Sequence, residues 1–436
     1  MECAKCHDHK YDPLSQKNYF EMYSFFNNVK EKGLQWNAVE AADRNYFADA
    51  PYITISDEDT ENILSFVNKK EAESVNVMVM NDSLSRETFV FNRGEYDQPA
   101  EKVTFNTPKI ILPFTDKYPK NRLGLAMWMT DENNPLTARV FVNRTWEMLF
   151  GVGLVETVED FGVQGSLPTH PKLLDWLAKD FMEHDWDIKY LIKKIMLSAT
   201  YQQTSVASKA QKKADPENKL LGRAPRFRMT GEMIRDYFLT TSGLLNPEIG
   251  GPSVRPYQPA GLWEETNAGG NRGTLTKYIP DTNEKLYRRS LYTFWKRTLP
   301  PPGMTIFDAP TRDYCEVRRQ KTNTPLQALA LQNDVQMLEA ARVLAQKTLL
   351  NNKDSEELVK TIFKRILLRT PKEKELEVLK KYHNETLMKY SSSIEDAEKL
   401  IAQGEYKQLE TDPVKTAALM LTAQVIYNLD ETITKE

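Results

Sequence analysis

Repeated helix-start and helix-stop signals from Arg122 onward limit what this chain can fold into. Asn134-Pro135, Thr324-Pro325 and Asp412-Pro413 each place a capping side chain directly before a proline, which is typical of a helix N-terminus. Gly151 ends the first of these segments, because glycine accommodates the left-handed backbone that closes a helix. Apolar residues recur three and four positions apart between such signals. The sequence therefore predicts a mainly α-helical domain over 122–436.

The first 121 residues contain more β-forming sequence. We predict helices over 16–30, with an aromatic face, and over 56–70. Alternating β-branched and aromatic residues predict short strands over 75–80, 88–91 and 102–105. We divide the chain into a terminal segment 1–50, a small β-containing connection 51–121 and a helical domain 122–436. The expected fold is a mainly α, multi-helix globular protein with a small β element and long ordered loops.

Two stretches inside the helical domain lack a helical period. Residues 250–283 are rich in Gly, Pro and Asn but also contain aromatic side chains, which predicts a long ordered loop. Residues 286–298 predict a strand, and 307–323 predict a polar loop. From Pro325 we predict one continuous helix to about residue 350.

The motif Cys3-Ala-Lys-Cys6-His7 predicts a specific chemistry. Two thiols at this spacing can each add to a vinyl group of a porphyrin, and the adjacent histidine can bind the iron from one face. Cys3, Cys6 and His7 are therefore candidate residues for covalent haem c, with His7 as the ligand to the haem iron. Two alternatives stay open: a metal or redox site that also uses His9, or a motif without chemistry in this chain.

The composition excludes several functional classes. The 436 residues carry a formal net charge of −3, which argues against a dedicated nucleic-acid binder. No apolar run is long enough to span a membrane. Three cysteines are too few for a disulfide scaffold.

The position of the motif bears on where the protein resides. Haem c is attached outside the cytoplasmic membrane, but no charged and apolar leader precedes Cys3, so a signal peptide is absent from this chain. Two explanations compete: the chain is the C-terminal part of a longer exported protein, or it is cytoplasmic and its motif carries no haem. We favour the first and expect a location in the periplasm or at the cell surface.

The Arg-rich region 288–333 is a second candidate site. Guanidinium groups at this density suit bidentate capture of a carboxylate, sulfate or phosphate, so the region is a candidate pocket for an anionic ligand such as an acidic or sulfated saccharide. Alternatively, its arginines tie loops together through ion pairs with Asp308, Asp313 and Glu316. The candidate ligand-binding residues are Arg288, Arg289, Arg297, Asp308, Arg312, Arg318, Arg319 and Asn323, together with Arg139, Asn143 and Arg144 on one face of a predicted helix.

The sequence contains no recognised catalytic motif, such as a nucleophile elbow, a phosphate-binding glycine loop or a zinc-protease helix. His383 is predicted on a helix surface, and Cys315 is predicted to be a small buried side chain. No catalytic residue and no enzymatic activity are assigned.

Longer segments resemble known families. Residues 3–16, Cys-Ala-Lys-Cys-His-Asp-His-Lys-Tyr-Asp-Pro-Leu-Ser-Gln, resemble the end of the planctomycete cytochrome-type domain of unknown function 1549. The rest is similar to its usual C-terminal companion, the planctomycete-type domain of unknown function 1553. That resemblance rests on segments 134–146, 156–165, 250–254, 287–297, 307–310, 322–329 and 428–431. It implies a large exported protein and no established activity for the C-terminal domain.

Three functional hypotheses follow. The first is electron transfer or redox coupling through haem c, with a redox partner protein. The second is binding or processing of an anionic or saccharide ligand in the Arg-rich region. The third is a non-catalytic structural or interaction module.

Overall fold

The computed structural model describes residues 1–29, 52–56, 74–82, 86–266, 277–351 and 355–435. Helices dominate these residues and the strands are few and short, which confirms the prediction of a mainly α fold. The helix predicted over 56–70 lies outside the described residues, apart from Ser56, which ends a strand. None of the helices in the described ranges is long and apolar enough to cross a membrane.

The helices, numbered in chain order, are α1 (Gln16–Ser24), α2 (Arg122–Met129), α3 (Thr137–Phe150), α4 (Pro171–Glu183), α5 (Ile188–Met196), α6 (Lys209–Ala214), α7 (Gly231–Ser242), α8 (Leu262–Thr266), α9 (Pro302–Thr305), α10 (Pro325–Asn333), α11 (Val335–Asn351), α12 (Ser355–Leu367), α13 (Glu373–Ser391), α14 (Ile394–Ile401) and α15 (Pro413–Tyr427). The strands are β1 (Tyr52–Ser56), β2 (Ser74–Met78), β3 (Thr88–Phe91), β4 (Pro99–Val103), β5 (Phe227–Arg228) and β6 (Thr434–Lys435).

These strands form three antiparallel two-stranded sheets: β1 with β2, β3 with β4, and β5 with β6. In the β3–β4 pair, Thr88 lies opposite Val103, and the register shifts between Phe89 and Phe91. The β5–β6 pair joins the middle of the chain to its C-terminal end. The strands predicted within 75–105 are confirmed, with shifts of a few residues at their ends.

α1 packs on the β3–β4 pair and is shorter than predicted. Ser15 caps α1 by accepting a hydrogen bond from the Asn18 backbone, and the helix ends at Ser24 rather than near residue 30. Phe20 meets Phe91 edge-to-face, with ring centroids 5.2 Å apart. Phe25, after the end of the helix, enters a small core with aromatic and aliphatic residues of α2 and the segment before it.

A second core joins α3, α4 and α5 through Val142, Trp146, Leu174, Phe181 and Leu191.

The predicted signals at both ends of α3 are present, but the helix starts two residues later than Pro135. The Asn134 side chain accepts from the backbone N–H groups of Leu136 and Thr137, which holds the entry turn. Gly151 has φ 80° and ends α3, as predicted.

The largest core surrounds α15, which packs against α11, α13 and α14, while α7 packs on α11. The prediction of one helix from Pro325 to residue 350 was wrong, because α10 and α11 are separated at Asp334. Asp334 has extended backbone, and its side chain accepts from the N–H groups of Gln336 and Met337. Asp334 therefore caps a new helix instead of continuing the previous one.

The prediction of a strand over 286–298 was also wrong. The segment forms two 3₁₀ turns, Asn283–Tyr287 and Ser290–Tyr292, followed by extended chain. It makes only isolated backbone bridges, at Asn246 and Val254 among others. Leu286, Tyr287 and Arg288 are all buried, and none of the strands in the described residues lies beside the segment to form a ladder.

Side chains of α7 make the hydrogen bonds to the backbone of 286–290 that a neighbouring strand would otherwise make. Arg235 is almost fully buried and donates from Nη2 to Leu286 O (2.8 Å) and from Nη1 to Arg288 O (2.8 Å). Its Nε donates to the Gln336 side chain at 2.6 Å. Burial lowers the pKa of Arg235 to about 10, so it remains charged at neutral pH. The neighbouring Asp236 accepts from the Ser290 N–H and hydroxyl, both at 2.7 Å.

Replacing Arg235 by Lys is expected to lower the free energy of unfolding by about 2–4 kcal/mol, because a lysine cannot supply donors in a fork and leaves buried carbonyls unpaired. Urea unfolding followed by circular dichroism measures the loss. The matched control is Arg289→Lys, at an exposed neighbouring position, which should change the midpoint little. Equal midpoints for the two variants would contradict this account.

Two side chains lie in environments opposite to those predicted. His383 on α13 is only 3% exposed, and its Nδ1 lies 3.2 Å from the Thr422 hydroxyl on α15. Cys315 is exposed instead of buried. Burial lowers the pKa of His383, since the charged imidazolium loses hydration between the two helices.

The depressed pKa of His383 gives stability a defined pH dependence. Below about pH 6.5 the unfolded state takes up a proton that the native histidine resists, so stability falls as pH drops through that value toward the native pKa. Unfolding free energies at pH 7.5 and 5.0 should therefore differ more in wild type than in His383→Gln. A wild-type pH difference that persists unchanged in His383→Gln would contradict the prediction.

Candidate functional site

Cys3 lies in a 3₁₀ turn, Glu2–Lys5, at the N-terminal end of the described chain, and Cys6 is the residue that caps the end of this turn. A 3₁₀ helix has three residues per turn, so side chains three positions apart lie on the same side. Cys3 and Cys6 are accordingly both exposed, and neither forms a disulfide, while Ala4 is completely buried beneath the turn. The fold thus presents the two thiols to solvent and uses the intervening alanine for packing.

The ring of His7 is oriented by a backbone carbonyl. Its Nδ1 lies 2.7 Å from Asp8 O, and a carbonyl only accepts, so Nδ1 carries the proton. The neutral ring then has its lone pair on Nε2. A hydrogen bond at one nitrogen that leaves the other for a metal is the usual arrangement of metal-binding histidines.

Several polar contacts fix the backbone around the motif. Asp8 accepts from the Gln16 N–H at 2.8 Å. The Gln16 side chain donates to Lys5 O (3.0 Å) and to Phe91 O (2.7 Å) on β3, which ties the motif to the β3–β4 pair. Gly94 has φ 77°, and a Cβ there would lie 2.9 Å from the Cys6 sulfur, so only glycine permits this approach.

The motif segment also contacts the helical domain. Asp12 Oδ1 accepts from the Val163 N–H at 2.8 Å, and a Cβ on Gly162 would lie 2.5 Å from the same oxygen. His9 Nδ1 accepts from the Asp12 N–H at 3.0 Å. Asp12 therefore joins the cysteine-containing segment to the turn 160–165, one of the segments that carries the family resemblance.

The donor set of the motif fits covalent haem, because two accessible thiols and a histidine with a free Nε2 are what attachment and axial ligation require. A nearby groove of about 450 Å³ is lined mainly by polar side chains, among them Lys17, Asn18 and Glu21. The described residues would thus offer two thiols and an imidazole to such a group, and the groove beside them is polar. They contain no group of three His, Cys, Asp or Glu side chains that could hold a metal ion, so Cys3, Cys6, His7 and His9 do not converge as the alternative would require.

Arg288, the first of the Arg-rich candidates, is used inside the fold. It is 1% exposed and donates to the carbonyls of Pro252 (3.0 Å), Glu248 (3.3 Å) and Gly250. Its guanidinium carbon lies 3.7 Å from the centroid of the Tyr292 ring. These contacts hold the loop 248–254 and leave the guanidinium inaccessible.

Asp308 and Asn323 each bind a neighbouring segment. Asp308 accepts from the N–H (2.7 Å) and hydroxyl (2.8 Å) of Thr322, which closes the loop between them. Asn323 accepts from Arg228 Nη2 at 2.6 Å, and Arg228 Nη1 lies 2.8 Å from Asp430. β5 and the C-terminal end are thereby joined to the start of α10.

The remaining arginines of the region are spread over the surface. Arg319 pairs with Glu232 at 2.9 Å, Arg318 lies 3.8 Å from Glu159, and the Arg312 guanidinium lies 4.2 Å from the Trp295 ring centroid. Arg289 and Arg297 are exposed. The candidates therefore do not meet at one point.

The three candidates on α3 have separate environments. Arg139 pairs with Asp175 of α4 at 2.6 Å. Asn143 is completely buried. Its Oδ1 accepts from the Val155 N–H (2.8 Å), and its Nδ2 donates to the Val155 carbonyl (2.9 Å). Arg144 is exposed.

The small pocket among these segments has a volume of about 10 Å³ and includes Arg228, Asp308, Arg319 and Gln327. That volume holds about one water molecule. Sequence reasoning missed Arg228, Glu232 and Asp430 as partners in this region. The pattern Arg226-Phe-Arg228 is a visible signal of a charged strand, but its pairing with Asp430, about two hundred residues away, is set by the β5–β6 pair.

Two family models match the chain, one at its N-terminal end and one over most of the helical domain. The model of the PSD1 proteins of unknown function (DUF1553) matches residues 121–383, and that of the PSCyt2 proteins of unknown function (DUF1549) matches residues 1–31, which include the cysteine motif. No curated protein and no solved structure matches the chain. Since the first model covers more than half of its length, the chain belongs to the PSD1 (DUF1553) family.

Proposed function

We propose that Cys3, Cys6 and His7 carry a covalently attached haem c, and that the protein takes part in electron transfer with a redox partner outside the cytoplasm. The observation that supports the proposal best is the joint geometry of the motif. Cys3 in the 3₁₀ turn and Cys6 at its C-terminal cap are both exposed, and the His7 ring bonds Asp8 O through Nδ1, which leaves Nε2 for the iron.

Each residue has a defined task in this proposal. The Cys3 and Cys6 thiols would hold the porphyrin through thioethers, each formed by adding S–H across a vinyl group. His7 would provide Nε2 for the iron, and the Asp8 carbonyl, which accepts from Nδ1, would keep the ring in the required tautomer. Bound haem would supply one-electron redox chemistry. Gln16 and Gly94 hold the turn against β3 and so preserve the thiol positions.

The anionic-ligand hypothesis for region 288–333 has weaker support. Arg288 is enclosed by carbonyls, and the pocket beside Asp308 has room for about one water molecule. An acidic or sulfated saccharide would have to bind the exposed arginines from the surface. We therefore place the redox function first.

Expression of the whole chain in a periplasm, together with a cytochrome c maturation system, tests the proposal. We expect a pyridine haemochrome spectrum of covalent haem that survives denaturing extraction. The signal should be lost in the Cys3→Ser, Cys6→Ser double variant, because no thioether can form. In His7→Ala the haem should remain attached by its thioethers, and the absorption spectrum of the folded protein should change, whereas its pyridine haemochrome should not, because pyridine replaces the axial ligands.

Cys315→Ser is the matched control, since Cys315 is also exposed and unpaired in a disulfide. It should keep the full haem signal. A folded, colourless wild-type chain would refute the proposal, and haem that persists in the double variant would refute the assignment to Cys3 and Cys6.

A further inference from the structure

The outer face of α4 and α5 combines charged and apolar side chains that neither hypothesis above uses. The two helices lie side by side, because Lys194 of α5 donates to Asp180 of α4 at 2.6 Å. Their inner sides pack into the second core, through Leu177 on α4 and Leu191 on α5. The opposite sides of both helices therefore form one surface that is open to solvent.

Positive charge is concentrated in this part of the chain. Over 188–214 the sequence contains lysines but no arginine, aspartate or glutamate. The lysines are Lys189, Lys193, Lys194, Lys209, Lys212 and Lys213. Lys189 and Lys193, one helical turn apart, are exposed on the outer side of α5, and Lys172 is exposed on α4. This local charge is opposite in sign to the net charge of the whole chain, −3.

The acidic side chains of the two helices are already engaged. In order along the chain, Asp175 pairs with Arg139 (2.6 Å), Asp180 with Lys194 (2.6 Å) and Glu183 with Lys179 (3.6 Å), and Asp187 accepts from the Lys189 N–H (2.8 Å). One further acid, Asp185, lies in the turn between the helices. Among the described residues, Lys172, Lys189 and Lys193 have no acidic partner, so their charge is available to a binding partner.

Large apolar side chains are exposed among these lysines. Met196 and Leu197, three and four residues after Lys193, are 42% and 64% exposed. Trp176 of α4 is 52% exposed, and the Lys194 ammonium lies 4.4 Å from its ring centroid, which places this ring beside α5. A partner that removes these side chains from water would gain free energy.

A membrane surface with anionic lipids matches both properties. Lysine ammonium groups are attracted to anionic headgroups, while tryptophan and aliphatic side chains enter the interfacial layer. A protein partner fits less well, because lysine is depleted in protein–protein interfaces. A nucleic-acid duplex would attract the lysines through its phosphates but leave Met196 and Leu197 in water.

We propose that the outer face of α4 and α5 docks on a membrane surface that contains anionic phospholipids. Lys172, Lys189 and Lys193 contact the headgroups, and Trp176 and Leu197 enter the interface. The contact needs no membrane-spanning helix and is independent of haem attachment.

Cosedimentation of the whole chain with lipid vesicles tests the proposal. The chain should bind vesicles of phosphatidylcholine with about 30% phosphatidylglycerol at least about tenfold more tightly than pure phosphatidylcholine, because the attraction of each lysine requires anionic lipid. Sodium chloride at about 0.5 M should weaken this binding by screening it. The Lys189→Gln, Lys193→Gln double variant should bind the mixed vesicles at least about tenfold more weakly. Leu197→Ser should bind them at least about threefold more weakly, because it removes apolar area from the interface.

Matched variants elsewhere on the surface control for general loss of charge or apolar area. Lys374→Gln with Lys381→Gln removes two exposed lysines of α13, and Leu350→Ser replaces a leucine of α11 that is 57% exposed. Both should bind like wild type, and circular dichroism checks that every variant is folded. The proposal is overturned if the mixed vesicles are not bound, if pure phosphatidylcholine is bound equally well, if the Lys189→Gln, Lys193→Gln variant binds unchanged, or if duplex DNA binds and the vesicles do not.

Discussion

The buried guanidinium of Arg235 is the interaction on which the centre of the helical domain depends. A strand-like segment, 286–298, runs through the domain without a sheet, so its backbone polar groups need partners from elsewhere. Arg235 supplies donors to two of its carbonyls, while Asp236 accepts from Ser290. Since Arg235 also bonds Gln336 on α11, one side chain connects α7, the segment and the largest core.

Hydrogen bonds from polar side chains also hold other loops of the molecule. Arg288 binds the carbonyls of 248–252, Asp308 binds Thr322, and Arg228 joins Asn323 to Asp430. Arg369 pairs with both Glu375 and Glu431, at 2.8 and 2.5 Å, and lowers the pKa of Glu375 to about 2. Long loops rich in charged residues therefore stay ordered here because side chains of distant segments satisfy their polar groups.

One segment connects the cysteine-containing segment to a cleft of about 640 Å³ beside α3. The Val163 N–H donates to Asp12 of the cysteine-containing segment, and Leu154 and Glu156 line the cleft. Asn143 fixes the segment at Val155, between these points. The placement of the N-terminal motif on the helical domain and the shape of the cleft thus depend on the same short stretch of backbone.

The sequence by itself determined the mainly α fold, the helix starts at Pro325 and Pro413 and the motif at Cys3, Cys6 and His7, because caps, prolines and spacing act within a few residues. It did not predict that segment 286–298 lacks a paired strand, that the helix breaks at Asp334 or that His383 is buried. It also did not show which arginines are enclosed, or that Trp146, Asn218 and Val152 share a cleft. Those features depend on contacts between residues far apart in the chain, and only the tertiary structure decides which polar group finds which partner.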